Sequence, residues 1–165
     1  MTPGSVDSRA FSIRQATLND APGMLDCLRE AFAPYERDYS ADGFKDTVLT
    51  PETIARRLSE MHVLVATTPQ GDVIGTIGCS IASQGEGHLR GMAVRRAWQG
   101  SHVAAELLAA AESELRRNHC DHVTLDTTRP LVRAIRFYES NGYVPTGRIG
   151  DFFGMELLEY RKALA

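Results

Sequence analysis

Hydrophobic positions along this 165-residue chain change period several times, and each change marks an element. Phe11-Ser12-Ile13-Arg14 alternates apolar and polar residues, as a half-buried strand does. Asn19 and Asp20 then offer caps and Pro22 suits a first helical turn. Met24, Leu28 and Phe32, with Leu25 alongside, recur at helical spacing until Pro34. From Tyr35 to Leu49 no period persists, so an irregular segment is expected there. Thr50-Pro51-Glu52 reads as cap, proline and acid at the start of a second helix, which Ile54, Leu58 and Met61 complete.

His62 to Ala66 reads as a buried strand, and Pro69-Gln70-Gly71-Asp72 as a turn into a third strand, Val73 to Ala82. Gly85-Glu86-Gly87 makes the next turn and His88 to Val94 a fourth strand, so two hairpins imply an antiparallel meander. After Gln99-Gly100 the longest helix carries Val103, Leu107, Ala111 and Leu115, with Arg116 and Arg117 complementing its dipole. Val123 and Leu125 mark a fifth strand. Pro130 opens a helix bearing Leu131, Ile135 and Tyr138, closed by Asn141-Gly142, before two last strands over Tyr143 to Thr146 and Phe152 to Tyr160. The order β α α β β β α β α β β predicts a three-layer α/β domain with a mixed sheet over residues 11–165, preceded by a flexible polar tail over residues 1–10.

With 43% hydrophobic and 24% charged residues, the chain can bury one core without disulfides or metal. Its formal charge of -3 comes from scattered residues, so neither a nucleic-acid nor a membrane surface is expected. The first ten residues lack the basic and apolar regions of a targeting segment. Cys27, Cys79 and Cys120 are odd in number and far apart, which fits buried, reduced thiols in a cytoplasmic protein. His62, His119 and His122 show no ligand spacing, and no metal is expected.

The chemistry concentrates where the fourth strand ends in Met92-Ala93-Val94 and a helix opens at Gln99-Gly100-Ser101-His102-Val103-Ala104, with no carboxylate before Glu106. A helix start presents unpaired N–H groups and the positive end of a dipole, so small residues there let a phosphate approach. An ordinary helix start preceded by a glycine turn fits the local pattern equally well.

Context separates the two. This run resembles the acetyl-CoA segment of GNAT acetyltransferases, Arg/Gln-x-x-Gly-x-Gly/Ala, in which Gln99 and Ala104 fit and His102 replaces the middle glycine. Downstream, Ala134-Ile135-Arg136-Phe137-Tyr138-Glu139-Ser140-Asn141-Gly142-Tyr143 resembles the family's Ala-x-x-Phe/Leu-Tyr-x-x-x-Gly-Phe/Tyr segment. A frequent CoA-contacting asparagine is here Leu131, which leaves the pantetheine arm to Thr127, Thr128 or Arg129.

The resemblance implies an acyl-CoA N-acyltransferase fold, its mostly antiparallel sheet splayed between strands 4 and 5. It also implies transfer of acetyl from acetyl-CoA to a primary amine by direct attack, with main-chain groups of Met92 and Val94 polarising the thioester. Tyr138 matches the family's acid, though a core tyrosine fits the sequence too. His88 stands where the histone-acetylating branch has a glutamate base, on a face shared by alternation with Arg90 and Met92, and histidine changes charge near neutrality. A surface histidine beside the Gly87 turn remains open, and Glu86 is a weaker candidate acting through water. Tyr35, Tyr39, Arg90, Asp151, Phe152 and Phe153 are expected to bound the acceptor, a small-molecule amine. A peptide acetyltransferase and a CoA-binding module without turnover are the alternatives. An exposed edge strand would permit a homodimer.

Overall fold

The computed structural model describes residues 10–164; the tail expected over residues 1–10 lies, but for Ala10, outside the described residues. Seven strands form one sheet: β1 (Ser12–Gln15), β2 (His62–Thr67), β3 (Val73–Ser83), β4 (Glu86–Val94), β5 (His122–Thr128), β6 (Val144–Phe152) and β7 (Met155–Ala163). Their order is β1-β2-β3-β4-β5-β7-β6, and every neighbouring pair is antiparallel except β4 and β5. The helices are α1 (Ala21–Phe32), α2 (Ala41–Val48), α3 (Pro51–Glu60), α4 (Val103–Arg117) and α5 (Val132–Ser140). This is the mixed three-layer arrangement the element order predicts.

Each face of the sheet buries its own cluster. On one, Leu64, Ile74, Ile77, Leu89 and Val94 meet Val103, Leu107 and Leu115 of α4 and Tyr138 of α5. On the other, Val63, Val65, Val73 and Ala93 meet Met24 and Leu28 of α1 and Ile54 of α3. The i, i+4 stripes of α1 and α4 are the residues that do this, so helical period and sheet face agree.

Three expectations need correction, the third of them on β4. The Tyr35 to Leu49 stretch is not irregular: a 3-10 helix spans Ala33–Asp38 and α2 follows, the Ser40 hydroxyl accepting from the Gly43 amide at 3.2 Å. Two turns are too short for a period to show, and Phe44 and Val48 are its one apolar pair at i, i+4. The last hairpin also turns later than expected. β6 continues through Gly147–Asp151 to Phe152, and the chain reverses at Phe153 and Gly154, both with positive φ. Nearly every residue of β6 is exposed, so no alternation marked it.

β4 carries a bulge that matters for the site. Arg90 lies opposite Gly78 but Ala93 opposite Thr76, so Gly91 and Met92 together face Ile77. Gly91 takes φ 71°, a left-handed value that a side chain rarely adopts. One extra residue inverts the alternation. Leu89 lies in the α4-side cluster before the bulge, while Val94 lies there after it with Met92 packed alongside, and Ala93 has moved to the α1 side. His88 and Arg90 therefore do not share a face with Met92, contrary to simple strand alternation.

Candidate active site

Parallel pairing of β4 and β5 covers only Glu86 to Leu89 against His122 to Leu125. Beyond it, Arg90–Val94 and Asp126–Thr128 separate around a cavity of about 820 Å³. The Arg95 amide bonds to Ile74 on the β3 side, so by alternation the main chains of Val94 and Met92 turn to the gap. Gln99 confirms this direction at Val94, its Nε2 donating to the Val94 carbonyl at 3.0 Å.

At one end of the cavity lie Gln99, Gly100, Ser101 and Ala104. Gly100 adopts φ 78°, and a Cβ there would meet nothing within 4 Å, so its backbone borders open space. The amides of Gly100, His102, Ala104 and Ala105 have no intramolecular acceptor among the described residues. The Ser101 hydroxyl turns back to the Trp98 carbonyl, clear of these amides. His102 is exposed and does not line the cavity, so its side chain leaves the amides clear; Val103 is wholly buried in the core and offers the cavity no side chain. Arg133 reaches in from α5, donating to Gln99 Oε1 at 3.1 Å, and puts a cation at the same end.

These groups suit a diphosphate with an amide-bearing arm. Unpaired amides and Arg133 match the anionic end. Further along, Thr127 lines the cavity, and its buried hydroxyl has no hydrogen-bond partner among the described residues, so an amide of the arm would satisfy it. Leu131 lines the wall here as an apolar surface, and Met92, Ala93 and Val94 line the opposite one.

Tyr138 opens onto the middle of the cavity although only 8% of it is accessible. Its ring packs edge-on against Tyr143 at 5.8 Å, and burial alone holds its phenol well above the usual range. It is both the core tyrosine and the cavity tyrosine, and its hydroxyl bonds to no described residue. Across the gap His88 lies with Nδ1 2.9 Å from Thr124 Oγ1 and Nε2 3.6 Å from Asp126 Oδ2. Burial pushes the Asp126 carboxyl up, His88 draws it down, and Glu159 pushes it up again.

Tyr35, Tyr39, Arg90 and Phe152, all named from sequence as bounding an acceptor, line the cavity together with Thr128. The Tyr39 hydroxyl meets Thr128 Oγ1 at 2.6 Å, tying the 3-10 segment to β5. Other expected residues lie elsewhere. Glu86 does not line the cavity and is engaged by His122 at 3.3 Å and by Ser83 at 3.4 Å. Arg129 is paired with Glu156, Asp151 accepts from the Gly154 amide within its turn, and Phe153 is 49% exposed at the hairpin tip. Sequence reasoning missed Asp126, Arg57, Asp46 and Arg133, all of which line the cavity. For Asp126 a signal existed: it alternates with Thr124 and Thr128 along β5, a polar face opposite the apolar Val123 and Leu125.

No described helix is long and apolar enough to cross a membrane, and no three His, Cys, Asp or Glu among the described residues are placed to hold a metal. Burial pushes the thiols of Cys27 and Cys79 up to about 12, so neither supplies a thiolate nucleophile near neutrality.

Comparison with known proteins agrees with this geometry. The fold matches an acetyltransferase of the GNAT family from Staphylococcus aureus Mu50, with a TM-score of 0.77 at 18% identity over 94% of this chain and 100% of that one. It matches equally the PaiA N-acetyltransferase of Thermoplasma acidophilum in complex with coenzyme A, with a TM-score of 0.77 at 18% identity over 93% and 99% of the two chains. The ribosomal-protein-S18-alanine N-acetyltransferase of Escherichia coli gives a TM-score of 0.75 at 16% identity over 94% and 95%. In sequence, N-alpha-acetyltransferase 30 of Saccharomyces cerevisiae is 29% identical over 84 residues, an alignment spanning 48% of each chain. Residues 24–143 match the acetyltransferase (GNAT) family, and with the splayed β4–β5 pair and the open amides at the head of α4 in place, the chain belongs to that family.

Proposed function

We propose that the protein transfers an acetyl group from acetyl-CoA to the primary amine of a small molecule by direct attack. The observation that carries this is the single cavity running from the Gly100 amides, past Tyr138, to His88 and Arg90. Acetyl-CoA supplies the activated acetyl group as a thioester.

The protein's own groups do the rest. The amides at the head of α4, with Gln99 and Arg133, hold the phosphates, and Thr127 steadies the arm. Main-chain N–H groups of Met92 and Val94, already aimed into the gap, bond to the carbonyl oxygen as negative charge grows on it. The acceptor's ammonium first gives a proton to solvent, and His88 takes the second proton as the neutral amine adds to the carbonyl. The Thr124 hydroxyl, donating to the Gly87 carbonyl at 3.5 Å, accepts from Nδ1–H and leaves Nε2 as the basic nitrogen. A proton arriving on Nε2 lies beside Asp126, which stabilises the imidazolium.

Tyr138 stabilises the departing thiolate as hydrogen-bond donor. Its raised pKa keeps it a neutral donor and makes full proton transfer to sulfur uphill, since a free thiol titrates near 8.5. A covalent cysteine step is not needed.

A peptide amine is the second reading, favoured by the match to N-alpha-acetyltransferase 30. Against it, α2 and the Phe152 end of β6 wall the acceptor end. The exposed edge strand β6 is where a homodimer would form, and buried, reduced cysteines suit the cytoplasm. The deciding experiment follows free thiol release over a panel of small amines and peptides, with acetyl-CoA binding measured by calorimetry. Turnover of small amines is the expected result; peptide-only turnover favours the second reading, and binding with no turnover marks a CoA-binding module.

A further inference from the structure

Arg57 of α3 lines the acceptor end of the cavity, partly buried, and its guanidinium makes no hydrogen bond or ion pair to any described residue. Five N–H donors on a permanent charge are costly to withdraw from water without a partner. The nearest carboxylate, Asp46, is already held by Arg90 at 2.8 Å. Burial pulls the Arg57 pKa down to about 10, Arg90 lowers it further and Asp46 raises it. Glu60, also on α3 and lining the cavity, is exposed and makes no ion pair. Of the two guanidinium groups at this wall, Arg90 is paired with Asp46 and attracted by Asp126, while Arg57 has no direct partner among the described residues.

The position of that charge is set by the bulge. A Cβ on Gly91 would lie 2.5 Å from Arg57 Nη1, so the guanidinium rests against the one β4 residue without a side chain. Gly91 immediately precedes Met92, whose main chain faces the gap. Arg57 thus flanks the strand segment that leads into Met92, and it lines the same cavity as His88 and Arg90.

We infer that Arg57 is a carboxylate-binding residue and that the acceptor is an amino acid, its carboxylate held by Arg57 while its amine meets the thioester. A planar guanidinium with free donors suits a carboxylate through paired N–H···O bonds. This rests on the acetyl-transfer reading and narrows its substrate.

The test uses the full-length protein and acceptors matched in all but charge: small α- and β-amino acids, their carboxamides, and the amines left by removing the carboxylate. Wild type should favour the amino acid over its carboxamide by at least about tenfold in kcat/KM, the scale of one charge-assisted contact. Arg57→Gln should bring that ratio close to one, Arg57→Lys should restore part of it, and acetyl-CoA affinity should stay within about twofold in both. As a check independent of any variant's folding, the deaminated acids should inhibit wild type competitively against the acceptor. Equal or better use of amides, plain amines or peptide N-termini overturns the inference while leaving acetyl transfer intact, as does a preference that survives Arg57→Gln. Loss of acetyl-CoA binding or of all turnover in wild type fails the underlying reading, and this one with it.

Discussion

Gly100 offers a direct measure of whether the head of α4 holds phosphate, because its surroundings separate sterics from charge. A Cβ there would meet no atom within 4 Å, so alanine adds no clash and costs only the left-handed φ of 78°, about 1 kcal/mol of folding stability. Aspartate adds the same backbone strain plus a carboxylate directed at the open amides. Two unit charges about 4 Å apart interact by about 1 kcal/mol at the dielectric of water and by about 4 kcal/mol at an effective value of 20. With Arg133 nearby to offset part of the repulsion, Gly100→Asp should weaken acetyl-CoA by about tenfold to a hundredfold, and Gly100→Ala by less than about threefold. Calorimetric titration at about 0.05 and 0.5 M salt adds a second reading, since screening should shrink the Asp penalty and leave the Ala effect unchanged. Equal affinities for both variants, or an Asp penalty indifferent to salt, would show that no phosphate lies against these amides.

Tyr138→Phe should lower kcat by about a hundredfold with acetyl-CoA affinity within about twofold, measured by single-turnover kinetics and calorimetry; unchanged turnover removes Tyr138 from the leaving-group role. His88→Ala should abolish the limb of the kcat/KM profile that rises toward alkaline pH, and a limb that persists assigns the base to another group or to water. Stability in acid should depend on Asp20, whose carboxylate takes two 2.7 Å bonds from Arg14 and one of 2.8 Å from the Thr17 amide. The Arg14 bond, foremost, holds its pKa below the usual range. Its contribution is therefore complete above the unfolded carboxylate value near 3.9 and disappears as pH falls through the lowered folded value. Asp20→Asn should cost about 1–2 kcal/mol in urea denaturation at pH 7, Arg14 being half exposed, and the gap to wild type should close in acid; a gap independent of pH rejects the ion pair.

What the sequence disclosed follows from how far each signal reaches. The stripes of α1 and α4 and the runs in β2 and β3 each span several turns or pairs, and burial of those same residues returned the predicted elements. The segment Gln99 to Ala104 was legible because it is local, one turn and one helix start. Tyr35, Tyr39 and Phe152 line the cavity, as aromatics beside charges on connecting segments suggested. Glu86 and Arg129 were not brought into the cavity, because a partner far along the chain decides a charged side chain's direction: His122 in one case, Glu156 in the other. Asp46, Arg57 and Asp126 sit on three different elements, α2, α3 and β5, so only the fold brings them to one cavity.

The bulge at Gly91 joins these scales. One residue with φ 71° reverses which face of β4 each later side chain takes, so Val94 returns to the α4 core beside Leu89 instead of sharing a face with His88 and Arg90. The same extra residue bends β4 where its pairing with β5 stops, at Leu89 and Leu125, and so helps to open the gap. It also removes the side chain that would displace Arg57. The divergence of β4 from β5, the turn of the Met92 main chain to the gap and the room left for the Arg57 guanidinium thus meet at one backbone conformation. A substitution there should strain the fold by about 1–2 kcal/mol and disturb the acceptor end more than the phosphate end, a separation that acceptor KM and acetyl-CoA affinity would report independently.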